Sequence, residues 1–236
     1  MTNDVSREPR SPVDGGSSAA VARAYDRWAA SYDRDANATR DLDARALRES
    51  GLAIEGRDVL ELGCGTAKNT SWLVERARRV IGMDVSRGML DVARSRLAAD
   101  NVELIEHDLQ RPWPIPDAHV DFVIGDLVLE HVEHLEPVFA EAARVLRSGG
   151  TMFVCELHPY RQLRGGQAHF TDERSGETVF APAHVHSVSE YVNAGIGAGL
   201  ALRRLDEWAD DVGPEPAEVR IPRLLSLTFV KAGRAS

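Results

Sequence analysis

An α/β fold with a doubly wound, mostly parallel sheet is predicted by this sequence of 236 residues. Short apolar segments alternate with segments of helical pattern, at 58–62, 79–83, 102–106, 120–125 and 150–156. Because neighbouring parallel strands need a crossover connection, usually a helix, this alternation predicts right-handed βαβ units. A glycine turn, Gly63-Cys64-Gly65, directly follows the first strand. It fits the same architecture, since open α/β sheets bind ligands beyond the carboxyl ends of their strands.

The remaining segments complete one domain. Residues 1–18 are rich in proline, glycine and serine and predict a disordered tail, which leaves 19–236 as a single domain. Further patterns predict helices at 19–32, 41–50 and 187–200, and two last strands at 200–205 and 224–231. The helix at 187–200 has Ser187 as its N-cap candidate, with Glu190 at the capping-box spacing. The periodicity breaks between 157 and 186, which predicts a small lid after the fifth strand.

The composition excludes several classes of protein. Hydrophobic residues make up 43% and charged residues 28%, which is ordinary for a globular domain. The net charge of −9 disfavours nucleic acid as a partner, and no apolar run is long enough to cross a membrane. Two cysteines and a first segment without a hydrophobic signal core predict a cytoplasmic protein. A monomer or a homodimer is expected.

The glycine turn and a later aspartate predict a nucleotide-like ligand. Glycines permit positive φ angles and leave bare backbone for a ligand, and the following helix presents unpaired N–H groups. Asp84 ends the second strand, roughly 20 residues later, where βαβ nucleotide sites carry an acid for the ribose hydroxyls. Two ligands fit this pattern: a dinucleotide of the NAD type, or S-adenosylmethionine (SAM).

Three features favour SAM over a dinucleotide. The third glycine of the dinucleotide fingerprint is absent, because Ala67 follows Gly-Cys-Gly-Thr. Glu61 immediately before the turn would repel a pyrophosphate but suits a cationic ligand. Asp108 ends the third strand, where its carboxylate could accept a hydrogen bond from an adenine amino group. A methyl group at Ala67 should be tolerated if its φ is negative.

On these residues the sequence resembles the class I SAM-dependent methyltransferases, in particular the small bacterial enzymes that act on small molecules. The resemblance covers about residues 21–155, and the segments that carry it are Tyr25–Asp33, Glu61–Thr66, Val80–Leu90, Asp108-Leu109, Asp121–His131 and Val145–Thr151. It implies a Rossmann-like sheet of seven strands whose last strand is antiparallel, a position that 224–231 would fill. It also implies SAM as methyl donor and S-adenosylhomocysteine (SAH) as product.

The resemblance assigns roles to individual residues. Glu61 and the backbone of Gly63, Cys64 and Gly65 would hold the methionine end, and Asp84 the ribose hydroxyls. Asp108 and Leu109 would hold the adenine, and Asp126 would lie near the methionyl group. Further cofactor contacts are expected from Tyr32, Val85, Met89 and Leu127.

Histidines near the ends of the fourth and fifth strands are candidates for catalysis. Methyl transfer is an in-line displacement, so a base is needed only where the acceptor starts protonated. His131 and His158 are predicted to position the acceptor or to act as its base, and contact with the cofactor or with solvent is the alternative for each. His184-x-His186 could bind a metal with His158 and His169, but the spacing is loose and we predict no metal site.

The sequence predicts methyl transfer to an oxygen or nitrogen of a small-molecule metabolite. The motif Asp/Asn-Pro-Pro-Tyr/Phe, typical of base-amine methylation, does not follow the fourth strand. An RNA or protein methyltransferase, and a SAM-binding protein without catalysis, remain alternatives, and an NAD-type oxidoreductase is a more distant one. Four arginines follow the fifth strand: Arg161, Arg164, Arg174 and Arg223. They favour an anionic acceptor if they converge on one site. The alternative is that they are scattered on the surface.

Overall fold

The computed structural model describes residues 17–34, 36–173, 175–210 and 221–233. Its strands are β1 (Asp58–Leu62), β2 (Arg79–Asp84), β3 (Val102–Glu106), β4 (Val120–Asp126), β5 (Leu146–Leu157), β6 (His169–Thr171), β7 (Thr178–Phe180), β8 (Leu200–Trp208) and β9 (Leu224–Lys231). Its helices are α1 (Ser18–Trp28), α2 (Ala38–Glu49), α3 (Lys68–Val74), α4 (Arg87–Arg96), α5 (Leu135–Val145), α6 (Pro159–Leu163) and α7 (Val188–Gly197), and a 3-10 turn covers Leu129–His131.

Seven strands form one sheet in the order β3-β2-β1-β4-β5-β9-β8. The pairs from β3 to β5 are parallel, whereas β9 is antiparallel to both β5 and β8. β8 therefore runs in the same direction as β1 to β5, and β9 alone is reversed within this sheet. This confirms the predicted doubly wound sheet with an antiparallel last strand. The strand order reverses between β1 and β4, which is where such sheets bind their ligands.

Helices cover both faces of the sheet. Adjacent strand residues point to opposite faces, so Leu60 and Val59 of β1 belong to two different hydrophobic clusters. The cluster with Leu60 includes residues of α5 and α7, and the cluster with Val59 includes residues of α2 and α3. Both clusters are built mainly from aliphatic side chains that are less than a tenth exposed. Burial of both faces explains why the strands read as continuous apolar runs.

The first predicted helix is shorter than its sequence pattern suggests. α1 ends at Trp28, and residues 29–34 form turns. Asp33 lies in these turns and accepts hydrogen bonds from the Thr66 hydroxyl (3.0 Å) and from the Arg96 guanidinium (2.5 Å). The chain therefore leaves the helical path to contact the glycine turn. The predicted capping box of α7 is present, with Ser187 and Glu190 each bonding the other's backbone.

The segment predicted as a lid contains α6 and a two-stranded ribbon, β6-β7, which packs on α1. The Phe170 ring stacks on the Trp28 ring with centroids 5.1 Å apart. Arg27 of α1 pairs with Asp172 at 2.6 Å, and Arg34 pairs with Glu173 at 2.8 Å. The ribbon and α1 thus form one cover over the carboxyl ends of the first strands.

Some predictions fall outside the described residues. Of the tail predicted at 1–18, the structure describes only Ser17 and Ser18, and Ser18 begins α1. Within the described ranges, every helix is too short or too polar to cross a membrane.

Two glycines of α7 allow a matched test of the packing. A Cβ on Gly195 would lie 2.2 Å from the ring of buried Phe229, whereas a Cβ on Gly197 would meet nothing within 4 Å. We expect Gly195→Ala to lower the free energy of unfolding by about 3 kcal/mol, because the ring cannot move within a close-packed core. Gly197→Ala should raise it by up to ~1 kcal/mol through helix propensity. Urea denaturation measures both, and equal midpoints for the two variants would contradict the packing.

Candidate functional site

The carboxyl ends of β1 to β4 surround a cavity that is covered by α1. It brings together every residue that sequence analysis assigned to the cofactor: Tyr32, Glu61, Gly63, Cys64, Gly65, Asp84, Val85, Met89, Asp108, Leu109, Asp126 and Leu127. These residues come from six segments of the chain. Their convergence follows from the parallel topology, in which the carboxyl ends of neighbouring strands meet at one edge.

The glycine turn exposes backbone to this cavity. Gly63 and Gly65 have φ angles of +65° and +52°. A Cβ on Gly63 would lie 2.4 Å from Cγ2 of Val128, so no larger residue fits there without a shift of the wall. A Cβ on Gly65 would meet only the Gly63 carbonyl, 4.0 Å away. Open space beside the Gly65 backbone is what a closely bound ligand requires.

Ala67 does not meet the condition of a negative φ. Ala67 precedes α3 with φ +68°, in the left-handed region, and it is fully buried. Its N–H donates to the Cys64 carbonyl (2.9 Å), and its own carbonyl accepts from the N–H (3.0 Å) and the hydroxyl (2.7 Å) of Ser71. The turn needs this conformation to aim α3 at the cavity, and alanine adopts it at a cost of about 1–2 kcal/mol.

Asp84 links the glycine turn to the following helix. Its Oδ2 accepts from the Gly65 N–H (2.9 Å) and its Oδ1 from the Ser86 N–H (2.8 Å). A carboxylate has about four lone-pair positions, so this pattern leaves one on each oxygen for two further donors. Burial raises the pKa of Asp84. The two remaining lone pairs can accept hydrogen bonds from the two hydroxyls of a diol.

α1 is held over the site by a further aspartate. The Asp26 carboxylate accepts from the Ser86 hydroxyl (2.7 Å) and from the Gly88 N–H (2.8 Å) at the start of α4. A Cβ on Gly88 would come within 3.1 Å of the Asp26 Cα, so the close approach depends on glycine at that position. These contacts fix the cover formed by α1 relative to the turn that carries Asp84.

Buried acids lie at the centre of the cavity. The Asn69 amide donates to Asp43 (3.0 Å) and to Asp126 (3.1 Å). In the part of the chain that is described, Oε2 of Glu61 and Oδ1 of Asp126 are buried without a hydrogen-bond partner. Burial raises the pKa of Glu61 to about 8 and of Asp43 to about 7, and that of Asp126 well above its usual range. A cationic group would stabilise their charged forms.

Basic residues in the cavity wall are fewer than acids. The Arg40 guanidinium lies over the Tyr32 ring, 4.0 Å from its centroid, and donates to the Tyr32 carbonyl. Lys68 pairs with Asp41 at 2.7 Å. The acids in the lining are Asp43, Glu61, Asp84, Asp108 and Asp126. The cavity is therefore electronegative.

His131 lies on the β4 side of the cavity and is held by two groups. Its Nδ1 lies 2.6 Å from the Pro182 carbonyl, which can only accept, so Nδ1 carries a proton. Its Nε2 lies 2.7 Å from the Tyr25 hydroxyl. In the neutral ring, Nε2 accepts the hydrogen bond that Tyr25 donates. The sequence analysis did not assign a role to Tyr25.

Comparisons with known proteins agree with this geometry. A family model described as a methyltransferase domain matches residues 60–154. An uncharacterised methyltransferase of Emericella nidulans is 32% identical over 216 residues, which cover 76% of this chain and 75% of that protein. This chain belongs to the class I SAM-dependent methyltransferases.

Other relatives match a smaller part of their own length. The malonyl-[acyl-carrier protein] O-methyltransferase of Serratia marcescens is 39% identical over 138 residues, 58% of this chain and 52% of that protein. Among solved structures, a SAM-dependent methyltransferase from Mesorhizobium loti has a TM-score of 0.67 at 23% identity, and the match covers 80% of this chain and 97% of that one. The DhpI–SAH complex has a TM-score of 0.65 at 24% identity, covering 94% and 100%. The structural matches concern the fold.

His158 lies outside the cavity lining of this methyltransferase. It caps α6: its Nδ1 accepts from the Tyr160 N–H (3.1 Å), and its Nε2 lies 3.1 Å from Oε1 of Glu207. The chain turns into α6 directly after β5, and His158 is the N-cap residue at this turn. Both ring nitrogens thus have structural partners, and we do not include His158 in the proposed catalytic group.

Two further histidines of the lid segment bind backbone carbonyls through their rings. His169 contacts the Gln167 carbonyl (2.8 Å), and His186 contacts the Val132 carbonyl (2.7 Å). Among the residues that the structure describes, no three histidine, cysteine or acidic side chains are arranged to hold a metal ion.

The arginines after β5 that the structure describes do not line the cavity. Arg161 and Arg223 both pair with Asp210, at 3.5 and 2.6 Å. Arg164 lies near the Tyr160 ring. Arg174 falls outside the described residues. The hypothesis that these arginines converge on an anionic acceptor therefore has no support in the contacts of the three that are described.

Several cavity residues have no sequence motif. Arg40 and Asp43 lie on α2, and Asn69 lies on α3. Their positions follow from the packing of these helices on the sheet face opposite α5. The one feature that marks these residues is that polar side chains stand at buried positions: Arg40 and Asp43 are 7% and 4% exposed. Buried polar residues of this kind are uncommon without a partner or a ligand.

Proposed function

We propose that this methyltransferase binds SAM in the cavity and transfers its methyl group to an oxygen or nitrogen of a small molecule. The observation that carries the proposal is the group of buried carboxylates beside the glycine turn, with unpartnered oxygens on Glu61 and Asp126. SAM carries positive charge on its sulfonium and amino groups, which these oxygens could accept. A dinucleotide would place a pyrophosphate against the same acids.

The remaining contacts suit the other parts of SAM. The free lone pairs of Asp84 match two ribose hydroxyls. Asp108 accepts from the Gln110 N–H (3.0 Å) through Oδ1, and its Oδ2 lies 3.6 Å from Nε of Arg111. A further lone pair of Oδ2 can accept from an adenine amino group, and buried Leu109 offers an apolar surface to the ring. The Gly63–Gly65 backbone and Glu61 would hold the methionine end. When bound, SAM supplies a methyl group on a positively charged sulfur, and SAH remains after transfer.

We propose that Tyr25 and His131 together accept the proton of the acceptor. Burial raises the pKa of Tyr25 well above its ordinary value, so its hydroxyl stays protonated at neutral pH. A proton from the acceptor can pass to the Tyr25 oxygen as the Tyr25 proton moves to Nε2 of His131. The Pro182 carbonyl holds His131 in the tautomer that this relay needs. Because Pro182 belongs to the lid segment, the proton relay depends on the contact between His131 and this segment.

We base the proposed class of methyl acceptor on the relatives and on the cavity. Relatives are named malonyl-[acyl-carrier protein] O-methyltransferase and demethylmenaquinone methyltransferase. The cavity is enclosed by α1 and lined by acids, which suits a small molecule better than a nucleic acid. A cytoplasmic location and a monomeric or homodimeric state remain predictions.

Isothermal titration with SAM, SAH and NAD⁺ tests cofactor binding. We expect SAM and SAH to bind and NAD⁺ not to bind. Asp84→Asn should weaken SAM binding roughly 10- to 100-fold, because one amide hydrogen would face a backbone N–H and the ribose would lose its charged acceptor. Asp91→Asn on α4 is the control, since the Asp91 side chain is 64% exposed and pairs with Arg94 on the same helix at 2.9 Å. Equal SAM affinity in both variants would reject the assigned site.

Mass spectrometry tests the transfer itself. Incubation with SAM and a panel of small alcohols, amines and carboxylic acids should produce SAH together with a methylated acceptor. Tight SAM binding without SAH production across the panel would instead favour a SAM-binding protein that does not transfer methyl groups.

A further inference from the structure

A second group of buried polar side chains lies beside His131, outside the residues that line the cofactor cavity. It comprises Glu130, Glu156, Gln162 and Tyr191, which are 4%, 0%, 7% and 0% exposed. Glu156 stands near the carboxyl end of β5, and Glu130 follows β4. The cofactor contacts proposed above lie at the ends of β1 to β3 and at Asp126. The second group therefore occupies the other side of the point where the strand order reverses.

Glu130 connects this group to His131, and Glu156 contacts the backbone of the same wall. The Gln162 amide donates to Oε2 of Glu130 (3.1 Å), and Oε1 of Glu130 lies 3.7 Å from Nε2 of His131. Oε1 of Glu156 accepts from the N–H groups of Val128 (3.0 Å) and Leu129 (2.8 Å). Val128 and His131 also line the cofactor cavity, so the two sites share a wall.

Three buried polar atoms of the group have no hydrogen-bond partner within the described ranges. They are Oε2 of Glu156, Oε1 of Gln162 and the hydroxyl of Tyr191. Oε1 of Gln162 can only accept, Oε2 of Glu156 accepts while the carboxyl is ionised, and a hydroxyl can do either. Buried polar atoms without partners are rare in native proteins, and such an atom calls for a water, an ion or a ligand. A cationic hydrogen-bond donor would satisfy the Gln162 oxygen and hold Glu156 in its ionised form.

The charges around the group also favour a donor with positive charge. The charged side chains that act on Tyr191 are Glu156, Glu130 and Glu190, all of them acidic. Burial and the nearby Glu130 and Asp43 raise the pKa of Glu156 well above its ordinary value. The described arginines of the lid segment are engaged elsewhere, since Arg161 pairs with Asp210 and Arg164 contacts Tyr160. An entering carboxylate or phosphate would lie among these acidic side chains.

We propose that Glu130, Glu156 and Gln162 form the acceptor subsite of this methyltransferase and that the acceptor is an amine. The inference rests on the proposed function and narrows its acceptor from oxygen or nitrogen to nitrogen. The amine donates its N–H groups to the unpartnered oxygens of Glu156 and Gln162. Glu130 stabilises its positive charge before and after transfer.

The acceptor nitrogen loses a proton before it takes the methyl group. An acceptor ammonium gives one proton through Tyr25 to Nε2 of His131, and the nitrogen becomes a neutral amine. Its lone pair forms a bond to the methyl carbon of SAM while the carbon–sulfur bond breaks and its electron pair stays on sulfur. The products are a methylated ammonium, SAH and a protonated His131. His131 then releases its proton to solvent.

Probes of similar shape and different charge test the subsite. Methylamine, benzylamine, acetate and benzoate are each titrated into the SAH complex, and the dissociation constants are measured by calorimetry. We expect at least one amine to bind about tenfold or more tightly than its carboxylate counterpart. Glu130→Gln should weaken that binding roughly 30-fold or more, because a buried charge that faces the ammonium is removed.

Controls separate the subsite from the cofactor site and from folding. Glu133→Gln is the matched variant, since Glu133 lies in the same segment but its side chain is 63% exposed; it should leave amine binding unchanged. Gln162→Met removes one unpartnered oxygen while keeping side-chain length, and it should also weaken amine binding. This variant provides the test if Glu130→Gln does not fold. All variants should bind SAH as the parent protein does.

Failure of the amine subsite and failure of the proposed function give different results. Binding of carboxylates as tight as that of amines, no binding of either amine to the SAH complex, or unchanged amine affinity in Glu130→Gln or Gln162→Met would overturn the amine subsite and leave the proposed function standing. Failure of SAH itself to bind would overturn the proposed function, and the inference with it.

Discussion

Replacement of His131 by alanine is expected to lower kcat about 10²- to 10⁴-fold, the range that general-base catalysis contributes. The Tyr25 hydroxyl would lose its acceptor 2.7 Å away, and the proton of the acceptor would have no path to Nε2. SAM binding should change little, because the cationic and hydroxyl groups of SAM are assigned to Glu61, Asp84 and Asp126. Initial rates of SAH formation and calorimetry with SAM measure the two effects separately.

His134→Ala is the control for this variant. His134 lies in the same segment, its side chain is 72% exposed, and it only approaches Glu133. Its removal should leave kcat unchanged. Tyr25→Phe keeps the ring and removes the hydroxyl, so it should reproduce the loss of kcat while the rings of Trp28 and Tyr32 keep their contacts with position 25. A kcat for His131→Ala close to that of the parent protein would reject the relay.

The free energy of unfolding of the ligand-free protein is expected to fall as pH rises from about 5 to 8. Burial raises the pKa of Glu61 from 4.5 to about 8 and that of Asp43 from 3.8 to about 7. Between these values the folded protein holds protons that the unfolded chain has released. Stability from these groups is therefore fully present below the unfolded pKa and is lost as pH rises through the folded pKa. For Glu61 alone the loss is roughly 3–5 kcal/mol.

Urea denaturation at several pH values measures this loss, and the difference between parent protein and Glu61→Gln isolates the contribution of Glu61. Glu61→Gln cannot ionise, so its stability should depend less on pH over the same range. SAM should offset the loss in the parent protein, since its positive charge stabilises the carboxylates; the stabilisation by SAM should therefore grow as pH rises. Parallel pH profiles for parent and Glu61→Gln would show that Glu61 ionises normally in the folded protein.

Local patterns were sufficient for much of the fold and for the family. The strands and the glycine turn depend on short-range rules: apolar runs for strands buried on both faces, and glycine where φ is positive. Asp84 and Asp108 could be recognised because parallel topology brings each strand end to one edge. Ser187 and Glu190 define the start of α7 through contacts only three residues apart.

Features that depend on contacts between distant segments could not be predicted in the same way. Ala67 reads as an ordinary alanine, but the junction of β1 and α3 imposes a positive φ on it. His131 and His158 follow neighbouring strands and look equivalent in the sequence. Only the turn into α6 separates them, by pairing His158 with Glu207 while His131 faces Tyr25.

The sequence by itself determined the α/β sheet, its order of elements and the methyltransferase family, because each rests on residues close together in the chain. The tertiary structure decided which polar side chains are buried together. Asn69 of α3 donates to Asp43 of α2 and to Asp126, and Gln162 reaches Glu130 from the lid segment. These contacts join residues 26 to 57 positions apart, and they offset the loss of water around the charged and polar groups that they bury. Such a loss exists only once the helices and the lid are packed on the sheet.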